Sequence, residues 1–258
     1  MRLVVKVGSS TLTHKTGMLN IRLVENLCKV LSDIRNSGHE VVLVSSGAVA
    51  MGVGKLNLIE KPSDNPTKQA AAAVGQCELM YTYDKLFGEF NHTVAQVLVT
   101  GNDISGKNRR NIENTLNKLI DLGTIPIINE NDTVSLDEME QLNALGDNDT
   151  LAAVVATCIS ADLLVLLSDI DGMYTADPRN DPNARLIHRI PELTEELLSR
   201  AGGSGTSQGT GGMKTKLNAA RIAGGSGIDM VIANGDHPEN LYDIIDGKNV
   251  GTYFESRR

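Results

Sequence analysis

Tryptophan is absent from this chain of 258 residues, and aromatic residues together make up only 3% of it. Platforms on which nucleic-acid bases stack are therefore scarce. Basic residues are also in deficit: 24 lysines and arginines stand against 32 aspartates and glutamates, a net charge of -8. A nucleic-acid backbone is held through lysine and arginine, so no broad nucleic-acid surface is expected. A local basic pocket for one small anion remains compatible with this balance. Cysteine is sparse: Cys28, Cys77 and Cys158 are odd in number, far apart, and form no CxxC pair. Neither a disulfide framework nor a zinc site follows, and buried thiols are expected. No apolar run reaches the roughly 20 residues that a membrane span needs. The chain opens directly on an apolar strand rather than a signal peptide. A soluble cytoplasmic protein without nucleic-acid or membrane partners is the expectation.

Hydrophobic residues make up 41% of the chain, enough for a full core. Continuous apolar runs read as strands at 2–7, 40–46, 93–99, 124–129, 161–168 and 228–233. Helical periodicity falls between them, near 20–37, 67–87, 108–121, 148–160 and 213–224. Strands apolar on both faces, alternating with helices, predict an α/β fold: a central, mostly parallel sheet covered on both sides. There is no internal repeat and no break in composition, so residues 1–258 read as a single domain. Ligands of such sheets bind beyond the carboxyl ends of the strands.

The polar residues gather at those strand ends. KVGSS (6–10) sets Lys6 inside an apolar strand, with Gly8 just beyond. A lysine of an edge strand reaching to water is one reading; a lysine aimed at a phosphate beside backbone amides is the other. SSGAVAMGVGK (45–55) lacks Walker A spacing, because Val49 and Leu56 stand where glycine and a hydroxyl are needed. It reads as a Ser/Gly turn opening a helix, with amides that also suit a carboxylate or phosphate. INEND (128–132) and GDND (146–149) bring Asn129, Asn131, Asp132, Asp147, Asn148 and Asp149. Solvated Asx turns and an oxygen-lined Mg2+ site shared with a nucleotide both remain open. SDIDGMYTADPR (168–179) carries turn signals at Asp171-Gly172 and Asp177-Pro178. GGSGTSQGTGGMKTK (202–216) holds six glycines before Lys214 and Lys216. A helical pattern and a strong strand follow it, which favours a phosphate cradle inside the fold over a linker. The five histidines form no close pair and read as surface or packing residues.

In this order along one chain, KVGSS, GHEVVLVSSGAVAMG, IPIINEND, GDND, SDIDGMYTADPR and GTGGMKTK resemble the amino acid kinase family. The likeness runs from Arg2 to GTYF at 251–254. It implies the three-layer αβα fold of that family. It also implies transfer of the ATP γ-phosphoryl group, with Mg2+, to the side-chain carboxylate of L-glutamate, the first step of proline biosynthesis. By the same resemblance Lys6 and Lys216 contact the transferring group and Asp149 organises them. Ser46, Gly47, Asn129, Asp132 and Asn148 match the glutamate site. Lys6, Gly8, Ser168, Asp169, Thr210, Gly211, Gly212, Met213, Lys214, Thr215 and Lys216 match the nucleotide site. No residue is assigned as a direct ligand of Mg2+. Homo-oligomers (dimers or tetramers) and feedback by proline belong to the same pattern. Two departures stand out: a C-terminal PUA domain, common in this branch, is not expected here, and the segment 133–145 is long and lacks a lysine before GDND. Other branches of the family act on acetylglutamate, aspartate, carbamate or nucleoside monophosphates. A catalytically dead amino-acid sensor would also keep the fold, but Lys6, Lys216 and Asp149 are all present.

Overall fold

The structure is a computed structural model that describes residues 1–14, 16–60, 62–134, 147–194, 197–198 and 212–256. Among the described residues eight strands form one sheet: β1 (Arg2–Val7), β2 (Glu40–Val44), β3 (Val94–Val99), β4 (Ile125–Glu130), β5 (Leu163–Ser168), β6 (Arg189–Ile190), β7 (Asp229–Asn234) and β8 (Thr252–Phe254). Their order across the sheet is β3-β4-β2-β1-β5-β7-β8-β6. Neighbouring strands are parallel except β7 and β8, which run antiparallel. The six long strands fall where the apolar runs predict them. Strands β6 and β8, only two and three residues long, give no readable alternation and were not expected.

Side chains alternate across each strand, and the two faces pack against different helices. Val4, Val42, Val44, Ile128, Leu164 and Leu166 face the helices Arg109–Asp121, Asn148–Cys158 and Met213–Gly225. Leu3, Val5, Val7, Leu43, Ile127 and Val165 face Ile21–Asn36, Asn65–Gly88 and Asn240–Ile245. This is the expected three-layer αβα arrangement. The order of the chain across the sheet reverses beside β1, with β2 on one side and β5 on the other. A crevice beyond the carboxyl ends forms at such a switch point. Lys6 pairs in register with Val44 of β2 and Leu166 of β5. It therefore lies on the most central strand, not at an edge, and reaching to water along a sheet margin is ruled out.

The helices beyond the sheet are closely fitted. The helix Asn65–Gly88 starts from an Asp64 cap, whose carboxylate accepts from Thr67 N at 2.9 Å. It packs backbone against backbone on the short helix Ala48–Lys55, which the Ser/Gly turn opens. A Cβ on Gly75 would lie 1.8 Å from the Ala48 carbonyl oxygen, and one on Gly52 1.8 Å from that of Ala71. Of the cysteines, Cys28 and Cys158 are buried as expected, but Cys77 is exposed, because it sits on the outer side of this helix. Among the described residues no helix is long and apolar enough to cross a membrane.

Alanine in place of glycine inside a helix normally stabilises by roughly 0.5–1 kcal/mol. At Gly75 the contact with Ala48 reverses the sign, and Gly75→Ala should cost about 1–3 kcal/mol or more. Gly88→Ala, in the same helix with nothing within 4 Å of the added carbon, serves as the control and should not destabilise. Urea melts of both variants check this; a Gly75→Ala protein as stable as the wild type contradicts it.

Candidate active site

Three charged side chains meet beyond the central strands. Lys6 is the last residue but one of β1 and lies on the Val4 face. Asp149 lies in the first turn of Asn148–Cys158, and Lys216 in the first turn of Met213–Gly225. Lys6 Nζ lies 2.6 Å from Asp149 Oδ1, and Lys216 Nζ donates to Asp149 Oδ2 at 3.1 Å. Thr215 Oγ1 donates to the same Oδ2 at 3.0 Å. The three residues are 9%, 1% and 5% exposed in the order Lys6, Asp149, Lys216. Burial alone would raise the Asp149 pKa, but the two ammonium groups outweigh it and hold the carboxyl below the usual range. Both lysines thus converge on the one buried carboxylate.

The two helix starts behind the cluster are electrostatically opposite. At Asn148–Cys158 the Asp147 carboxylate caps the helix, accepting from Asp149 N at 2.8 Å and Thr150 N at 2.9 Å. Acidic groups there match the positive end of the helix dipole. At Met213–Gly225 the capping residue is Gly212, with no side-chain cap, and the first turn carries Lys214 and Lys216. Cations at this end are disfavoured by about 0.3–1 kcal/mol each. A Cβ on Gly212 would meet nothing within 4 Å. Among the described residues nothing caps these amides, and with two lysines beside them they suit an anion such as a phosphate.

A second group lies beside the first. Asn148 Nδ2 donates toward Ser45 O at 3.0 Å, Ser46 Oγ at 2.6 Å and Asn129 Oδ1 at 3.1 Å. Asn129 donates onward to Gln76 Oε1 at 2.9 Å. Gly47 turns the chain at φ 97°, a left-handed conformation that favours glycine, and so joins Ser46 to the helix Ala48–Lys55. Asp132 is half-buried near Glu130, and its pKa is pushed up to about 6, by burial first and by Glu130 second. On the other side, Ser168 is buried at the end of β5 and donates to the exposed Asp169 at 3.1 Å. Gly8 lies beside the Lys6 ammonium: a Cβ there would be 3.5 Å from Nζ.

Most residues singled out in the sequence thus gather around the ends of β1, β2, β4 and β5. Lys214 is exposed, and Met213 packs against the core. Thr210 and Gly211 lie outside the described residues, as do 135–145 of the long segment between the Asx motifs. Two residues were missed. Gln76 and Tyr83 reach the site from Asn65–Gly88, Tyr83 through its hydroxyl 2.9 Å from Ser45 Oγ. Their only signal was a glutamine and a hydroxyl on the buried stripe of an alanine-rich helix. Among the described residues no cluster of three or more His, Cys, Asp or Glu side chains converges as a metal cage.

The lysine–aspartate–lysine cluster lies beyond the carboxyl ends of the central strands, where parallel sheets of this kind place their ligands. The amino acid kinase family pattern matches residues 1–234, and the chain belongs to that family. A glutamate 5-kinase of Clostridium perfringens (strain 13 / Type A) is 50% identical over 258 residues, covering 100% of this chain and 96% of that protein. A glutamate 5-kinase of Clostridium acetobutylicum is 52% identical over 254 residues, covering 98% and 94%. The crystal structure of a UMP kinase from Bacillus anthracis superposes with a TM-score of 0.66 at 16% identity, covering 100% of this chain and 96% of that one. At that identity it bears on the fold alone.

The Asp149 charge gives a stability prediction. A carboxyl whose folded pKa is depressed contributes stability above its unfolded pKa of about 3.9 and loses it as pH falls through the folded value. Asp149→Asn removes the buried carboxylate that both ammonium groups face and should cost about 3–5 kcal/mol at pH 7. Between pH 5 and pH 2 the gap in Tm between wild type and variant should close, because only the wild type loses this carboxylate. A gap constant across that range contradicts the ion cluster.

Proposed function

We propose that this chain transfers the γ-phosphoryl group of ATP to the γ-carboxylate of L-glutamate, giving γ-glutamyl phosphate and ADP for proline biosynthesis. The observation that carries the reading is the buried Lys6–Asp149–Lys216 cluster, in a chain about half-identical to glutamate 5-kinases over 98–100% of its length. A carboxylate is already nucleophilic at neutral pH, so no general base is required. One γ-carboxylate oxygen attacks the γ-phosphorus. The bond from that phosphorus to the bridging oxygen breaks, and its electron pair stays on ADP. The protein's task is to bring two anions together and offset the charge on the transferring group. Lys6 and Lys216 do this, and Asp149 holds both in place before substrate arrives. Gly8 beside Lys6 leaves room for a phosphoryl oxygen. Gly212 to Lys216, with Thr210 and Gly211, cradle the nucleotide phosphates, and Ser168 and Asp169 border the nucleotide from β5.

Mg2+ bound to the nucleotide would neutralise phosphate charge. On the acceptor side, Ser46, Gly47, Asn129 and Asn148 hold the amino acid and Asp132 pairs with its ammonium group. Residues 1–258 act as one kinase domain, in the cytoplasm where both substrates occur. Assembly as a dimer or tetramer and feedback by proline are proposed from the family resemblance alone.

Hydroxylamine traps acyl phosphates, so γ-glutamyl hydroxamate should form only when ATP, Mg2+ and L-glutamate are all present. Lys6→Ala and Lys216→Ala should each suppress it by about 10²–10³ or more. Faster turnover of N-acetylglutamate, aspartate or a nucleoside monophosphate would overturn the substrate assignment.

Asp132 adds a pH dependence. Its raised pKa means that it gains a proton, and loses its attraction for an ammonium group, as pH falls below about 6. The kcat/KM for L-glutamate should fall below that pH, with KM for ATP unaffected; such profiles report groups of the free enzyme. Asp132→Asn should have a raised KM for L-glutamate and no such inflection. An inflection that survives in Asp132→Asn contradicts the role.

A further inference from the structure

Fixed backbone polarity orients a chain of amides beside the charge cluster. At one end, the Glu130 backbone N–H lies 2.9 Å from Asn129 Oδ1. A backbone N–H can only donate, so that atom of Asn129 must be its oxygen. The other terminal atom of Asn129 is then the donor, and it meets Gln76 Oε1 at 2.9 Å. At the far end, the Ser45 carbonyl can only accept, so the atom of Asn148 lying 3.0 Å from it must be the nitrogen. That nitrogen also lies 3.1 Å from Asn129 Oδ1, which links the two ends. Asn148 Oδ1 is consequently turned away from this chain, and it has no protein partner among the described residues.

Gln76 holds a special place in the chain of amides. It is 8% exposed, and it neighbours Gly75, whose backbone contact with Ala48 fixes the helix. Its Oε1 is the acceptor for Asn129 Nδ2. Gln76 also lines a small cavity with Ala48, Glu130, Asn131 and Asp132. It thus stands between the amide chain and the acids on the acceptor side.

Resting on the function proposed above, we propose that Gln76 is a positioning residue for recognition of the substrate's ammonium group. By accepting from Asn129 Nδ2 it keeps the Asn129 oxygen toward Asn148. That in turn keeps Asn148 Oδ1 presented as an acceptor for the ammonium, alongside the Asp132 carboxylate. Without an acceptor at position 76, Asn129 Nδ2 is left buried and unpaired, and the Asn129 amide shifts toward another partner while the Glu130 N–H alone holds its oxygen. Asn148 then loses one of the groups that orient it, and the acceptor for the ammonium is misdirected. The phosphoryl-transfer cluster does not share these bonds and is left in place.

Glutarate has both carboxylates of L-glutamate and no amino group, so it separates this role from general loosening of the site. Gln76→Met keeps the length of the side chain and removes the acceptor. It should raise KM for L-glutamate about tenfold, in line with losing a hydrogen bond to a charged group, while KM for glutarate and for ATP stays the same. Gln76→Glu keeps an acceptor for Asn129 and should retain the wild-type preference for L-glutamate over glutarate. Equal weakening of both acids in Gln76→Met, or no weakening of either, overturns the inference. Should Gln76→Met not fold, Gln76→Glu decides alone: retention of the preference supports the role, and its loss overturns it. A wild-type protein inert toward L-glutamate would instead fail the proposed function, and this inference with it.

Discussion

The contact between Lys6, Asp149 and Lys216 is the constraint on which the rest of the architecture depends. Its members come from the first strand, from a helix beginning some 140 residues later and from another some 65 residues beyond that. They meet only because β1 is central, because residues 4 and 6 share one face of it, and because both helices pack on that face. A shift of β1 by one residue would turn Lys6 into the opposite core, among Leu27 and Leu31. The parallel register with β2 and β5 is therefore as much a part of the site as the lysine itself.

The cluster also shows how one fold uses two helix starts for opposite purposes. Asn148–Cys158 is capped internally by Asp147 and accommodates the negative Asp149. Met213–Gly225 begins without a side-chain cap and with lysines where the dipole favours anions. A segment selected for stability alone would exchange these charges. Burying the ammonium groups and the carboxylate of this cluster carries a desolvation cost. The proposed activity would draw on this arrangement, with both lysines already oriented by Asp149 toward the place of a transferring phosphoryl group.

The long apolar strands and their alternation with helices were legible because burial on both faces writes a continuous hydrophobic run. Strands β6 and β8 were not legible, because two or three residues show no period, and β8 gains its place by pairing antiparallel with β7. Lys6 illustrates a different limit. A lysine within an apolar strand reads equally as an edge residue or a site residue, and only the order of the sheet separates the two. Asp149 and Lys216 were legible through the family pattern rather than through spacing, since their contact spans 67 residues. Gln76 was hidden for a physical reason: it belongs to the buried stripe of an alanine-rich helix, where a single polar residue gives no period of its own. Cys77, next to it, faces outward, because successive helical residues point about 100° apart.

The central claim is that Asp149 acts through the two lysines and not on the substrate itself. A double-mutant cycle on turnover tests it most directly, with Lys6→Ala, Asp149→Ala and the combined variant assayed for γ-glutamyl hydroxamate. Residues that act as one unit give losses that are far from additive. The combined variant should be no slower than the worse single variant by more than about threefold, a coupling that contacting groups readily show. Losses that multiply across the cycle would mean that Asp149 and Lys6 act independently, and would contradict the account.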